Sequence, residues 1–562
     1  MSQEELASEV QREGDLETET RQEKSAGTGI FGGVRMQNVV GGITAPTVSQ
    51  TRTEKVRRDA PASQNRLRLS TGTREINGSL PSDSVNQPVY VSRFSEIALS
   101  RGLLCEPEEP PYDPSPFSFL PRYLRGYGWS PTSNCESITI KRTFTDSPLP
   151  RPPAHESANF EAISTIRNYP ALFNVSTPIR FDKLKEMCRD HPRQDFVDSV
   201  VTTLQEGAWP WANTHYDDGF PLTWDNAWRL PKDEKEQDFV SQYAREEFEL
   251  GHYSQDFGPD LLPGMYATPV FAIPKPHSDN LRLVNHLSAG KYAQNLMMDR
   301  SETCGARLDT LHNFMAALLK HKKENPSKKL IVWKSDVKGA FRLIPVHPLW
   351  QIKQITTTNI PTQEQIDKGV DIGPLHRHVD WRCCFGSCGS PRCFSSFMGL
   401  VCWIAAFVIL ILALFTYADD NWSWDDYGNT LYYEPYKKHM PRKQVMLLKL
   451  WDELGIPHEE RKQVSGLVLT IIGFSVDPNL MTVTMPQQAR VSLLEHVEEF
   501  VRTISRRRPL QEWAQLAGYI SWSLNVFPLL RPALSNVYAK LSNKKSRRAD
   551  IYLNKAVVAD LN

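Results

Sequence analysis

Two short apolar runs each lead into carboxylates, and this pairing constrains the chain more than any other feature. The first is Leu330-Ile331-Val332-Trp333, followed by Lys334-Ser335-Asp336. The second is Val408-Ile409-Leu410-Ile411-Leu412-Ala413-Leu414-Phe415, followed at once by Thr416-Tyr417-Ala418-Asp419-Asp420-Asn421. Short apolar runs of this kind read as buried strands, and Asp and Asn favour turns. The second run therefore predicts a hairpin with two adjacent carboxylates at its tip. An acidic side chain at the end of a buried strand is costly unless it is paired or binds a cation. Two like charges side by side repel unless a divalent ion neutralises them. Asp336, Asp419 and Asp420 together make an all-oxygen set suited to Mg²⁺. Upstream, Asp309 is placed to cap a helix whose apolar face is Leu311, Phe314, Met315, Leu318 and Leu319.

A pair of Mg²⁺ ions suits in-line phosphoryl transfer, one lowering the pKa of an attacking hydroxyl and the other stabilising a leaving pyrophosphate. Asp336 and Asp419 are the chief expected ligands. Asp420 has a lesser part, the Val337 carbonyl adds a backbone oxygen, and Mn²⁺ is expected to substitute.

The motifs around these residues are specific. Asp336-Val337-Lys338-Gly339-Ala340-Phe341 resembles the first catalytic motif of reverse transcriptases, and Tyr417-Ala418-Asp419-Asp420 resembles their Tyr-x-Asp-Asp motif. Between them, Phe385-Gly386 and Gly389-Ser390-Pro391 with Phe394 are similar to the loop and helix that support template and incoming nucleotide. Any one of these recurs by chance. All three in order, with about 80 residues between the outer aspartates, are strong together. The resemblance implies that Lys275 and Arg282 grip the triphosphate and that Lys462 is the general acid near the pyrophosphate. It also implies that Tyr417, Gly389 and Pro391 border the nucleotide, that Gly473 lies in the primer-grip hairpin Ile472-Gly473-Phe474, and that Phe341 excludes a ribose 2′-hydroxyl.

Further phrases are similar to those of DIRS-type retrotransposons, the group that integrates with a tyrosine recombinase. They are Leu261-Leu262-Pro263-Gly264-Met265-Tyr266, Leu281-Arg282-Leu283-Val284-Asn285, Ser288-Ala289-Gly290, His347-Pro348-Leu349-Trp350 and Leu524-Asn525-Val526-Phe527-Pro528-Leu529-Leu530-Arg531-Pro532. The resemblance spans roughly residues 176–562. It implies an α+β right-hand polymerase with an antiparallel palm sheet. Fingers and palm are expected over 262–486, with the fingers at 262–335 and returning at 342–385, and a basic thumb over 487–548. A helical extension over 156–261 precedes them, and 549–562 is expected to open a ribonuclease H-like region that this chain lacks, as in a truncated copy. The expected partners are RNA template, DNA primer or duplex and dNTPs, in nucleus or cytoplasm. Phe385 stands where some reverse transcriptases have Gln, and Asn285-His286 where Asp is frequent.

Composition sets the remaining bounds. Lys+Arg and Asp+Glu both total 65, so net charge names no partner. The charge is unevenly placed, however. Residues 501–562 carry eleven basic against three acidic side chains, including Arg506-Arg507-Arg508, which predicts a polyanion-facing surface. Residues 1–155 read as a disordered arm. Met1–Lys24 holds eight acidic and three basic residues, and eleven prolines fall within 107–153. Nine cysteines in 562 residues argue against a disulfide scaffold. The charge-free stretch 397–415 is long enough to cross a membrane, but carboxylates at its edge favour burial within protein, so no membrane partner is expected. The His376, His378, Cys383, Cys384, Cys388 and Cys393 cluster lacks the spacing of a structural zinc site. The alternative function is that of a catalytically decayed retroelement-derived protein that still binds nucleic acid.

Overall fold

The computed structural model describes residues 137–214, 219–274, 280–303, 308–544, 546 and 548–562. Most of the segment read as an arm, residues 1–136, lies outside the described residues. The chain is α+β, with helices packed on several small sheets. The sheet that organises it has four strands, in the order Val464–Gly466, Leu330–Asp336, Asp420–Asp426 and Phe415–Tyr417, all antiparallel.

Strand alternation explains why both faces of this sheet are covered. On one face Leu330, Val332, Trp422, Trp424 and Phe415 are buried against the helix Leu311–Glu324 and the small sheet 469–484. Phe314 of that helix lies 5.6 Å from Phe415 and 5.7 Å from Trp424, ring to ring. Each fully buried side chain of this size contributes about 1.5–3 kcal/mol. On the other face lie Trp333, Ser335, Asn421 and Ser423, under the helices Ser390–Phe407 and Arg442–Leu454. Gln444 Nε2 reaches through that layer to the Lys334 carbonyl (3.0 Å) and Ser335 Oγ (3.2 Å).

Ser390–Phe407 is long and apolar enough to cross a membrane, but 89% of that stretch is buried inside the protein. The apolar run after it departs from expectation. Residues 408–414 form no strand: the chain leaves the helix and turns, with Leu410 and Ala413 left-handed at φ 64° and 61°. Only Phe415–Tyr417 is extended. Periodicity cannot divide an unbroken apolar run between helix and strand.

Residues 137–155, expected to belong to the arm, include a packed helix. Ile138–Thr145 is a helix capped by Ser137, and Thr139, Ile140 and Thr143 are buried. It packs on Ser390–Phe407 at Gly399, where an added Cβ would stand 2.9 Å from Thr143 Cγ2 and 3.3 Å from the Thr139 carbonyl. A helix this short is marginal by itself, so packing rather than propensity forms it. Beyond it, helices Phe160–Asn168, Phe181–Met187, Gln194–Glu206 and Glu234–Glu249 follow. Arg342, fully buried, donates to Glu247 and Asp380 and so ties the last of these helices to the segment after Asp336.

The boundary expected at residue 548 runs through a single core. Phe500, Trp513, Leu516, Leu534, Val537, Ile551, Leu553 and Val557 are buried together. Asp550–Tyr552 also pairs with Arg507–Pro509. Residues 549–562 therefore complete the unit that begins at Gln487.

Candidate active site

Register places the carboxylates. Asp336 pairs directly with Asp420 across the two central strands, and Tyr417 pairs with Asp420 on the other side. Directly paired residues point to the same face, so Asp336, Asp420, Tyr417 and Lys334 line one end of the face whose other end is the Trp422–Trp424 core. Ala418 and Asp419 make the two-residue turn between the strands, with Ala418 left-handed at φ 55°. The Asp419 carbonyl accepts from Val337 N (3.1 Å) and from the buried Asn421 Nδ2 (3.2 Å), which fastens the turn to the end of the Asp336 strand.

These groups perturb one another. The Asp419 carboxyl is pushed up to about 6, first by burial and then by the charges of Asp336 and Asp420. Burial also raises Asp336, against the opposing pull of Lys462. Two ammonium groups sit among the carboxylates: Lys462 Nζ is 2.6 Å from Asp336 Oδ1, and Lys334 Nζ is 3.2 Å from Asp420 Oδ1. Among the described residues no group of three His, Cys, Asp or Glu side chains converges as a metal site, and the expected ligand set is no exception. The donor chemistry nevertheless fits a hard divalent cation: three carboxylates, two of them raised chiefly by burial and further by one another, with lysines as the stand-in positive charge.

Lys462 reaches this end of the sheet from the 3-10 turn Glu460–Lys462. That turn is anchored by Gln463 Nε2 on the Asp336 carbonyl (3.2 Å) and by Lys338 N on the Pro457 carbonyl (2.9 Å). His458 bonds Asp452 (3.1 Å) and bridges to Val337 through the backbone.

A second group assembles beside Phe341, on the turn Ala340–Leu343. Its ring lies 4.9 Å from Phe385 and 5.8 Å from Phe394. The Arg282 guanidinium stands 5.8 Å from the Phe385 ring centre, within cation–π range. Gly389 precedes the helix Ser390–Phe407, with Pro391 in its first turn, and a Cβ at Gly389 would stand 2.7 Å from Pro210. Arg282, Phe385, Phe341 and Phe394 thus form one neighbourhood, and Gly389 and Pro391 open the helix that carries Phe394. Lys275 lies outside the described residues. Sequence reasoning missed Asn295, which is buried, donates to the Gly386 carbonyl and accepts from Cys388 N, holding the loop in place. It missed Lys334 as well, although strand alternation from Asp336 would have put the two on one face.

Gly473 and Ile472 form a two-residue hairpin turn with both residues left-handed, at φ 81° and 47°. A Cβ on Gly473 would stand 2.8 Å from the Trp522 ring, which stacks on Phe474 at 4.5 Å. Gly473→Ala is expected to destabilise by about 1–2 kcal/mol through backbone strain and displacement of that ring, read as a lower urea midpoint.

The arginine run divides. Arg506 and Arg507 are exposed, whereas Arg508 is paired with Glu499 and Glu512 and packs over Phe500. Arg508 therefore links two helices, whereas Arg506 and Arg507 do not share those partners.

No family model matches this sequence, and no curated protein matches it. Among the solved structures that match is the foamy viral protease-reverse transcriptase dRH in complex with double-stranded DNA. It is 14% identical, with a TM-score of 0.37, over 68% of this chain. The match spans 59% of the viral chain's own length.

Proposed function

We propose that this chain is a retroelement reverse transcriptase, a polymerase that extends a DNA primer with dNTPs on an RNA or DNA template. The observation that supports it most is the direct register of Asp336 with Asp420, with Asp419 at the turn alongside and Lys462 on Asp336. On this reading Asp336, Asp419 and Asp420, with the Val337 carbonyl, hold Mg²⁺. Bound there, Mg²⁺ would acidify the primer 3′-hydroxyl and offset charge on the leaving pyrophosphate. Lys462 leaves Asp336 when the triphosphate enters and protonates the departing pyrophosphate oxygen. Arg282, beside Phe385, binds phosphate oxygens through its planar fork. Arg506 and Arg507 present exposed charge to a duplex backbone, so binding weakens as salt rises. Relationship to DIRS-type elements remains part of the proposal, carried by the sequence phrases above.

Phe341 selects the sugar. Its ring packs between Phe385 and Phe394, and on this reading it would stand against the sugar and exclude a 2′-hydroxyl. Phe341→Ala is expected to lower the preference for dTTP over UTP by about 10²-fold, the scale on which an apolar pocket discriminates by shape. The comparison is kcat/KM for the two nucleotides on one primer–template. An unchanged ratio would remove Phe341 from sugar selection.

A further inference from the structure

Asp309 lies between three parts of the chain that are far apart in sequence. It is fully buried. Thr310, not Asp309, caps the helix Leu311–Glu324, which corrects the expectation from sequence. The Asp309 carboxylate instead accepts from Ser137 Oγ (2.8 Å), Ile138 N (2.5 Å) and Thr139 N (3.3 Å), the first amides of the helix Ile138–Thr145. Its other oxygen contact is Thr416 N at 2.8 Å, and its own N–H donates to the Thr416 carbonyl at 3.2 Å. Phe415–Tyr417 is an edge strand of the central sheet. Asp309 therefore satisfies both backbone groups of Thr416 on the open side of that edge, three residues before Asp419.

We infer that Asp309 is a positioning residue, through which the helix Ile138–Thr145 holds the hairpin bearing Asp419 in its working place. Four donors converge on this carboxylate, and two of them are helix N-terminal amides, which favour an anion. Burial pushes the group up to about 6, so at pH 8 it is ionised and accepts from all four. The helix is held from its other side by Gly399, whose missing side chain admits Thr139 and Thr143. Ala418 occupies a left-handed conformation unfavourable for alanine, so the hairpin needs outside support to keep its shape.

Two measurements at pH 8 test this on the full chain. The first is amide hydrogen exchange over residues 414–421 in wild type, Asp309→Asn and the milder Ser137→Ala. Asp309→Asn turns an amide N–H₂ toward donors and is expected to speed exchange there at least tenfold, with the strand Leu330–Asp336 unchanged. Ser137→Ala, which keeps the carboxylate, should give a smaller change of the same sign. The second rests on the proposed polymerase reading: kcat for extension should fall about 10- to 100-fold in Asp309→Asn, with KM for dTTP within twofold of wild type. Unchanged exchange over 414–421 in a folded Asp309→Asn protein would overturn the inference, as would a kcat equal to wild type. If wild type itself does not extend a primer, the polymerase reading fails, and the exchange experiment alone decides the role of Asp309.

Discussion

Asp419→Asn is expected to lose primer extension by about a thousandfold or more and at the same time to melt at a higher temperature when metal-free. The first effect follows if Asp419 is a principal ligand, since stabilisation of reacting charge by a bound cation is worth several kcal/mol and each 1.36 kcal/mol is about tenfold in rate. The second follows from burial and like charge. The Asp419 carboxyl is raised to about 6 in the folded protein, above its ordinary value of 3.8. A raised carboxyl stabilises the fold only while protonated; that contribution is present below about 4 and lost as pH rises through 6. At pH 8 the wild-type protein carries the full strain of the ionised group, and the amide does not. The melting temperature of the variant should thus exceed wild type by a few degrees at pH 8 and converge with it toward pH 4. Because a proton and Mg²⁺ compete for Asp419, extension by wild type at limiting Mg²⁺ should decline as pH falls, and added Mg²⁺ should restore it. Lower stability in the variant at pH 8 would mean that burial and the neighbouring carboxylates do not strain the ionised Asp419.

Substitutions of Lys462 separate proton donation from charge balance. Lys462→Met removes both and leaves Asp336 without its 2.6 Å partner. Lys462→Arg keeps the positive charge but is a far poorer proton donor, because a guanidinium stays protonated. General acid catalysis is worth about 10²–10⁴-fold. Single-turnover extension should therefore fall by at least about 10² in both variants, with duplex affinity unchanged. Near-normal turnover in Lys462→Arg would reassign Lys462 as a counter-ion to Asp336.

The pieces of the site that depend on local pattern were legible in the sequence. The strand ending at Asp336 and the turn at Ala418–Asp419 show as an apolar run followed by turn-forming acids, and the structure pairs them in register. What local pattern cannot carry is partnership at long range. Asp309 stands just before a helix, as a cap would, yet its partners Ser137 and Thr416 are 172 and 107 residues away. Ile138–Thr145 has only eight residues and follows a proline-rich stretch, so nothing local announces that Gly399 will receive it. Arg508 differs from Arg506 and Arg507 only through Glu499 and Glu512, which the fold brings beside it. Likewise Ile551 and Val557 join the core of Trp513 only because Asp550–Tyr552 returns to pair with Arg507–Pro509.

The most direct test of the central claim is extension of an oligo(dT) primer on poly(rA) by the purified full chain, with dTTP and Mg²⁺, following pyrophosphate release beside primer length. The proposed function predicts one pyrophosphate per added nucleotide, a strict need for divalent cation, and loss of both signals in Asp419→Asn. A folded protein that binds the duplex but neither lengthens the primer nor releases pyrophosphate would contradict it and favour a retroelement-derived binding protein.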